Sequence, residues 1–230
     1  MSLEILPPEL IESSDDTSKK SSGKFDSKEF FPSSLADGQS ELFRPAGVFS
    51  TDNAGLYYRW PQEQMVNGQL SFAGFGYQQS WPGDPAPDAA REVDWSNPAR
   101  PKIEGSHVRP KRALVWTMVS QERNRVELCI FEQRSIKDGI VEIIGEAEDY
   151  TFRDDGLANF LLKITRKGTG LETSYSVLPK LQKPTAAEVA LFNEVADTAK
   201  VSKLLMGQHP MFAPKAEFVS ADADGGDAEF

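Results

Sequence analysis

Apolar positions are grouped along much of this chain in short, strand-like runs that polar and turn-forming residues separate. "KRALVWTMV" and "RVELCIFEQ", joined by "SQERN", are rich in β-branched and aromatic residues, and so are "ANFLLKITR" and "LETSYSVLP", joined by "KGTG". Each pair predicts a β-hairpin. Shorter aromatic runs between residues 41 and 81 are broken by Gly, Pro and Asn-Gly. They predict further strands connected by tight turns.

Two segments have helical spacing instead. The first lies between the two hairpins, where Ser135 and Asp138 are placed to cap a helix that carries Ile136, Ile140, Ile143 and Ile144. The second, 185–206, predicts a C-terminal helix. Thr185 and Glu188 form a capping box at its start, and Gly207 ends it.

Composition divides the chain into one domain with two appendages. Residues 1–39 are rich in Ser, Asp, Lys and Pro, and we predict that they are disordered. Residues 40–212 form the predicted domain, which includes a long proline-rich loop at 82–110. The last segment, 213–230, is predicted to be a disordered acidic tail.

The order of these elements is strands, hairpin, helix, hairpin and helix, which predicts a mainly β fold with helices. An OB-fold is a five-stranded Greek-key barrel with its helix between the third and fourth strands, and it has this order. A generic β-barrel or an α+β sandwich has the same order. Of these we take the OB-fold, whose open face commonly binds single-stranded nucleic acid, as the working prediction.

Cysteine and histidine counts exclude several kinds of site. Cys129 is the only cysteine and there are two histidines, so neither an internal disulfide nor a zinc site built from Cys and His clusters can form. A reducing compartment such as the cytoplasm is therefore expected. No apolar run has the length of a membrane span and no secretory signal is evident, so we expect a soluble protein without a membrane partner.

The net charge of −10 is unevenly distributed. Residues 216–230 hold five acidic side chains and no basic one, whereas residues 51–215 hold 20 basic and 21 acidic side chains. Basic residues are grouped within this near-neutral body, in 100–125 and again in 163–183. The overall charge therefore does not exclude a polyanionic partner.

Aromatic and basic residues interleave on the predicted strands. Binding a single strand without reading its sequence requires cations for the phosphates and flat side chains on which bases stack. The candidate residues for single-stranded DNA binding are Tyr58, Arg59, Trp60, Arg109, Lys111, Arg112, Trp116, Lys163, Arg166, Lys167 and Tyr175. Against this, aromatic residues on strands are more often core than platform, and Trp116 stands among apolar neighbours.

Motifs for catalysis are weak. "RKGTG" lacks the helix that should follow a phosphate-binding loop, and His107 has no G-x-S-x-G element and no evident orienting partner. A magnesium-dependent enzyme using Asp154 and Asp155 is the weaker alternative. We therefore expect no enzymatic activity, no cofactor and no metal.

The second half of the domain contains two distinctive runs, "RPKRALVWTMVSQERNRVELCIFEQRSIKDGI" and "LLKITRKGTGLETSYSVLPKLQKP", within residues 109–184. Together they carry a resemblance to the OB-fold single-stranded DNA-binding proteins of tailed bacteriophages. Its most specific part has the form R-x-G-x-G-x-x-T-x-Y-x-V, beginning at Arg166. Many relatives carry a Cys-rich zinc-binding insertion, but residues 82–108 contain no cysteine here, so no zinc is expected.

This resemblance implies single-stranded DNA binding in phage replication or recombination, in the cytoplasm of an infected bacterial host. It also implies a role for the acidic tail, which would recruit replication or recombination proteins and compete with DNA. The tail residues concerned are Asp222, Asp224, Asp227, Glu229 and Phe230. Self-association is possible for such a protein. The alternative is a protein–protein interaction module that uses an OB-like barrel as a scaffold and binds no nucleic acid.

Overall fold

The computed structural model describes residues 28–47, 52–66, 69–83, 91–94, 102–146, 150–153 and 156–211. The strands in these ranges are β1 (Glu29–Phe30), β2 (Ser40–Pro45), β3 (Ala54–Val66), β4 (Gln69–Gln78), β5 (Arg91–Asp94), β6 (Lys102–His107), β7 (Lys111–Ser120), β8 (Arg125–Phe131), β9 (Phe160–Lys167) and β10 (Ser174–Leu181). The helices are α1 (Arg134–Glu146) and α2 (Ala186–Val195). Short 3-10 segments lie at Pro32–Ser34, Gly170–Glu172 and Val201–Met206. No helix in these ranges has both the length and the apolar character needed to cross a membrane.

Eight strands form one sheet around the long strand β7. The order is β1-β8-β7-β2-β9-β10, and β3 pairs with β7 and with β4. The first half of β7 pairs with β3, and its last three residues pair with β2. All of these pairs are antiparallel except β1–β8, which is parallel. β5 and β6 form a separate two-stranded sheet.

The prediction of a mainly β fold with helices is confirmed, but the closed barrel is not formed. Over the described residues the sheet is open, because no ladder joins β8 to β10. Two features occupy that gap: β1 lies along the edge of β8, and α1 packs against both β8 and β10. The core is therefore sealed by helix α1 rather than by a continuous ring of hydrogen bonds.

Both predicted hairpins are present as β7–β8 and β9–β10. Asn124, in the turn between β7 and β8, has a positive φ of 48°, which asparagine tolerates better than most residues. Gly168 has φ of 79°, and a Cβ there would lie 2.6 Å from the Glu172 carbonyl oxygen. The glycines of "KGTG" are therefore required by this turn, as the sequence indicated.

Regular structure is already present before residue 40, which corrects the predicted boundary of the domain. β1 pairs with Leu128 and Cys129 of β8, and Phe30 and Leu35 are almost completely buried in the core. We call residues 28–35 the N-terminal strap. Phe30 and Leu35 stand in a mostly polar stretch, so the composition of this region did not indicate that they are buried. Only the fold shows the core residues against which they pack. Residues 1–27 and 212–230, including the predicted tail, lie outside the described residues.

The predicted loop at 82–110 contains regular structure, which is a second correction. β5 and β6 pair within it, with Val93 opposite Ile103. Both strands are short and flanked by proline-rich sequence, so the turn residues outweighed the strand signal in the sequence.

The predicted C-terminal helix 185–206 is two elements. Its capping box between Thr185 and Glu188 is confirmed, but α2 ends at Val195. A 3-10 segment then runs from Val201 to Met206 and ends at Gly207, which has a left-handed φ of 69°. The break lets Val201 and Leu204 pack on the sheet, where both are buried.

Apolar residues fill both faces of the sheet. The inner face carries Phe43, Trp116 and Ile164 and packs against α1 and the N-terminal strap. The outer face is covered in one region by the 201–206 segment and in another by α2.

Candidate nucleic-acid interface

The predicted binding residues are divided between the two faces of the sheet. Tyr58 lies opposite Arg112, and Arg112 shares its face of β7 with Trp116, so both belong to the inner face. Leu42 lies opposite Lys163, one position from Phe43, which places Lys163 on the outer face. The structure therefore does not bring all the candidates into one groove.

An aromatic pair, of which Trp81 is exposed and Tyr58 is half-buried, lies where β3 pairs with the end of β4 and the start of β7. Trp81, which is 43% exposed, meets the ring of Tyr58 edge to face, with 5.1 Å between centroids. The guanidinium carbon of Arg109 lies 5.4 Å from the centroid of the Trp81 ring. Arg112 is exposed on the strand beside Tyr58. We call Tyr58, Trp81, Arg109 and Arg112 the aromatic edge.

Helix α1 adds a cation to this edge. Lys137 Nζ donates a 2.5 Å hydrogen bond to the backbone carbonyl of Arg112. Partial burial lowers the pKa of Lys137 from its ordinary value, and the neighbouring positive charge of Arg112 lowers it further. The carboxylates of Asp138 and Glu132 raise the pKa of Lys137 and so offset part of the positive potential at this edge.

Arg59 is an internal tie rather than a surface cation. It is 7% exposed, and its Nη1 lies 2.8 Å from Glu132 Oε1. Its Nε donates to the Tyr77 hydroxyl at 3.0 Å, and its guanidinium carbon is 3.3 Å from the centroid of the Phe75 ring. Burial raises the pKa of Tyr77 to about 12, so this hydroxyl stays protonated. Arg59 is therefore assigned to the packing of the outer face.

Lys111 shares the carboxylate that holds Arg59. Its Nζ lies 3.4 Å from Glu132 Oε2, and its side chain remains 63% exposed. An exposed pair of this kind is worth at most about 1 kcal/mol, so Lys111 can exchange Glu132 for a phosphate at small cost. Lys111 is thus an available cation on the outer side of the same strand end.

Trp60 and Trp116 are core residues in this structure, which corrects their prediction as platforms. Trp60 is 6% exposed and lies on Gly76, where a Cβ would come within 2.5 Å of the indole ring. Trp116 is completely buried, stacks on Phe152 and donates from Nε1 to the Gly47 carbonyl at 3.3 Å. Neither ring presents a face to which a base could stack.

The candidates on β9 and β10 separate in the same way. Lys163 and Lys167 are exposed on the outer face. Arg166 lies on the inner face, where its Nη1 donates to the carbonyls of Ser33 and Leu35 at 2.9 and 2.8 Å. Tyr175, opposite Arg166, is half-buried and packs against the core. Arg166 thus ties the N-terminal strap, and only the two lysines are open cations.

Two residues of the candidate interface were missed in the sequence. Trp81 stands in "QQSWPG", a polar and turn-rich context that has no strand periodicity. A tryptophan in such a context is a signal of exposure that could have been used. Lys137 gave no such signal, because a lysine on the polar side of an amphipathic helix is usually solvated and only the fold places it beside Arg112.

Several sequence predictions fall outside the described residues. These are the tail residues Asp222, Asp224, Asp227, Glu229 and Phe230, and the carboxylate pair Asp154 and Asp155.

Comparison of the chain with protein-family models, curated proteins and solved structures gave no match. The resemblance to phage single-stranded DNA-binding proteins therefore remains a hypothesis that rests on residues 109–184.

Proposed function

We propose that this chain binds single-stranded DNA with little sequence preference, through the aromatic edge. The observation that carries the proposal is the exposed Trp81 ring, which contacts Tyr58 and Arg109, whereas Trp60 and Trp116, the tryptophans on the described strands, are buried. A large exposed aromatic beside cations is the pairing that single-strand binding uses. A place in phage DNA replication or recombination is proposed from the sequence resemblance alone.

Strand order supports an OB-fold as the scaffold of this proposal. Five strands, taken in chain order as β2, β7, β8, β9 and β10, lie side by side as third, second, first, fourth and fifth. Helix α1 connects the third to the fourth. Closing this order would bring β8 next to β10, where α1 now packs. OB-folds are partly open barrels that bind oligonucleotides on the second and third strands and on the loops that follow the first and fourth.

In this scheme Tyr58, Trp81 and Arg109 of the aromatic edge belong to the segment between the first and second strands, and Arg112 lies at the start of the second strand. Bases would stack on Trp81 and Tyr58, at about 1–3 kcal/mol per base. Phosphates would pair with Arg109, Arg112 and Lys111, and with Lys137 from α1. Neutralising about four phosphates predicts a slope near −3 in a plot of log affinity against log salt, since each contributes about −0.7 on a single strand.

Titration of a fluorescently labelled thymidine oligonucleotide tests the proposal. Trp81→Ala should weaken binding by about 5-fold to 150-fold, the equivalent of about 1–3 kcal/mol. Trp81→Phe should retain most of the affinity because it keeps a flat ring. Val141→Ala, which truncates a side chain that is 65% exposed on α1, is the matched surface control. Equal affinity of Trp81→Ala and the control would overturn the assignment of the edge.

A protein–protein module remains the second candidate, because β10 exposes two leucines at the end of the described sheet. Leu178 is 59% exposed and Leu181 is 55% exposed. Exposed apolar side chains on an edge strand are typical of interaction surfaces. Absence of oligonucleotide binding at low salt, both for the full chain and for a chain ending at Lys215, would favour this candidate.

Recruitment of replication or recombination proteins by the tail, through Phe230 and its acidic neighbours, is a further part of the proposed single-stranded DNA-binding function.

A further inference from the structure

The outer face of β9 and β10 is a second basic surface. Its outward positions carry Lys163, Lys167 and Lys180, all exposed, and no carboxylate. The other outward positions are hydroxyl and apolar residues, among them the exposed Leu178 opposite Lys163. In a chain with net charge −10, these three lysines favour an anionic ligand, and the carboxylate of Asp37, which accepts a hydrogen bond from the Gly168 backbone at 2.7 Å, lies at the end of β9 next to Lys167.

Helix α1 connects this surface to the aromatic edge. On one side of the helix Lys137 contacts the Arg112 carbonyl. Two residues later Gly139 packs against β10, where a Cβ added to Gly139 would lie 3.5 Å from the Val177 side chain. A helix with its side chains is about 10–12 Å across, so Arg112 and Val177 are only about one helix diameter apart. Leu178, the next residue, points to the opposite face, beside Lys163.

The alternative route from Arg112 to Lys163 runs along the sheet; it is longer, and other parts of the chain cover it. Leu42 is opposite Lys163 and Phe43 is opposite Ser120, so Lys163 lies level with residue 121, nine positions beyond Arg112. At about 3.4 Å per residue this is about 30 Å along β7. On the outer face α2 and the 201–206 segment cover most of this distance. The first turns of α1 and the β10 edge are therefore the shorter open connection.

We propose that a bound single strand continues from the aromatic edge across the first turns of α1 and around the β10 edge onto the lysines of the outer face. The inference rests on the proposed function and adds to it the length of the strand that is bound. Stacking holds the strand at the aromatic edge, whereas phosphate pairing alone holds it at Lys163, Lys167 and Lys180. The occupied site is then long for one domain, toward the upper part of the range of about 4–16 nucleotides known for OB-folds.

A comparison of two oligonucleotide lengths tests this path. One probe has about six thymidines, enough for the aromatic edge, and the other has about twenty, enough for both surfaces. A variant with Lys163→Ala and Lys180→Ala should bind the short probe like the wild type. For the long probe its salt slope should become shallower by about 1.4, because two phosphate contacts are lost. A variant with Arg153→Ala and Lys200→Ala loses the same charge away from the path and controls for the change in net charge.

The outcomes separate this inference from the function on which it rests. Loss of slope on the long probe alone, with the control unchanged, supports the path. If the lysine variant and the control behave alike on the long probe, the path is wrong, although Trp81→Ala can still show that the aromatic edge binds DNA. If Trp81→Ala binds both probes like the wild type, the proposed function fails as well. A lysine variant that weakens both probes equally also overturns the path, since it shows one compact site.

Discussion

Replacing Glu188 by Gln should destabilise the chain by removing the anion that holds α2 to the sheet. Arg44 on β2 is completely buried, and its Nε lies 2.6 Å from Glu188 Oε1. The same carboxylate accepts hydrogen bonds from the Thr185 backbone at 2.7 Å and from Gln121 Nε2 at 2.6 Å. Glu188 therefore joins three elements: β2, the start of α2 and the turn after β7.

The size of the effect follows from the partners that Arg44 retains. Removing one partner of a buried ion pair typically costs about 3–5 kcal/mol, because an uncompensated charge remains. Four backbone carbonyls still accept from the guanidinium: Ala158, Phe160, Gln182 and Lys183. Glutamine also preserves the capping box, so the loss of the cap contributes little. We therefore expect the lower end, about 3 kcal/mol, equivalent to a fall in Tm of about 6–12 °C for a domain of this size.

The pH dependence of stability identifies the ion pair as the cause. Burial raises the pKa of Glu188, but hydrogen bonds from Arg44 and Thr185 outweigh it and leave the pKa below its ordinary value of 4.5. A lowered pKa in the folded state gives stability that is fully present above about pH 4.5 and is lost as the pH falls through the folded pKa. The difference in the free energy of unfolding between the wild type and Glu188→Gln should therefore shrink as the pH falls through the folded-state pKa of Glu188.

Urea unfolding followed by tryptophan fluorescence, at pH 7 and at a pH below 4, measures both effects. Glu194→Gln, an exposed substitution on the same helix, is the control. The reasoning is refuted if Glu188→Gln and Glu194→Gln have the same free energy of unfolding at pH 7. It is also refuted if the difference between wild type and Glu188→Gln does not narrow in acid.

Three further predictions concern the interface, the tail and the core. Glu132→Gln should tighten oligonucleotide binding by up to about 5-fold, because Lys111 no longer has to leave a carboxylate to reach a phosphate, and an unchanged affinity would show that Lys111 contacts no phosphate. A chain ending at Lys215 should bind oligonucleotide more tightly than the full chain, because its truncation removes five carboxylates that compete for the cations. Equal affinity of the two chains in fluorescence titration would show that the tail does not compete. Burial raises the pKa of the Cys129 thiol well above its ordinary value, so a thiol reagent should label it only in urea, and labelling of the native protein would contradict its placement.

The local parts of the fold could be predicted from the sequence. The hairpins β7–β8 and β9–β10 are encoded by runs rich in β-branched and aromatic residues, and the glycines of "KGTG" permit the turn between β9 and β10. The capping box of Thr185 and Glu188 is likewise a contact between residues three positions apart. In each case the interacting groups are neighbours in the chain, so the residue types alone specify the structure.

The tertiary structure decided which of these residues can meet a ligand. Trp116 and Trp81 are the same residue type, yet one stacks on Phe152 in the core and the other is 43% exposed beside Arg109. Arg59 was a candidate phosphate contact until Glu132, 73 positions away, proved to be its partner. Burial and ion pairing are sums over contacts between distant segments, and a pattern of neighbouring residues does not contain them. The sequence by itself determined the hairpins, the start of α2 and the supply of aromatic and basic side chains, while packing across the sheet determined which of those side chains reach solvent.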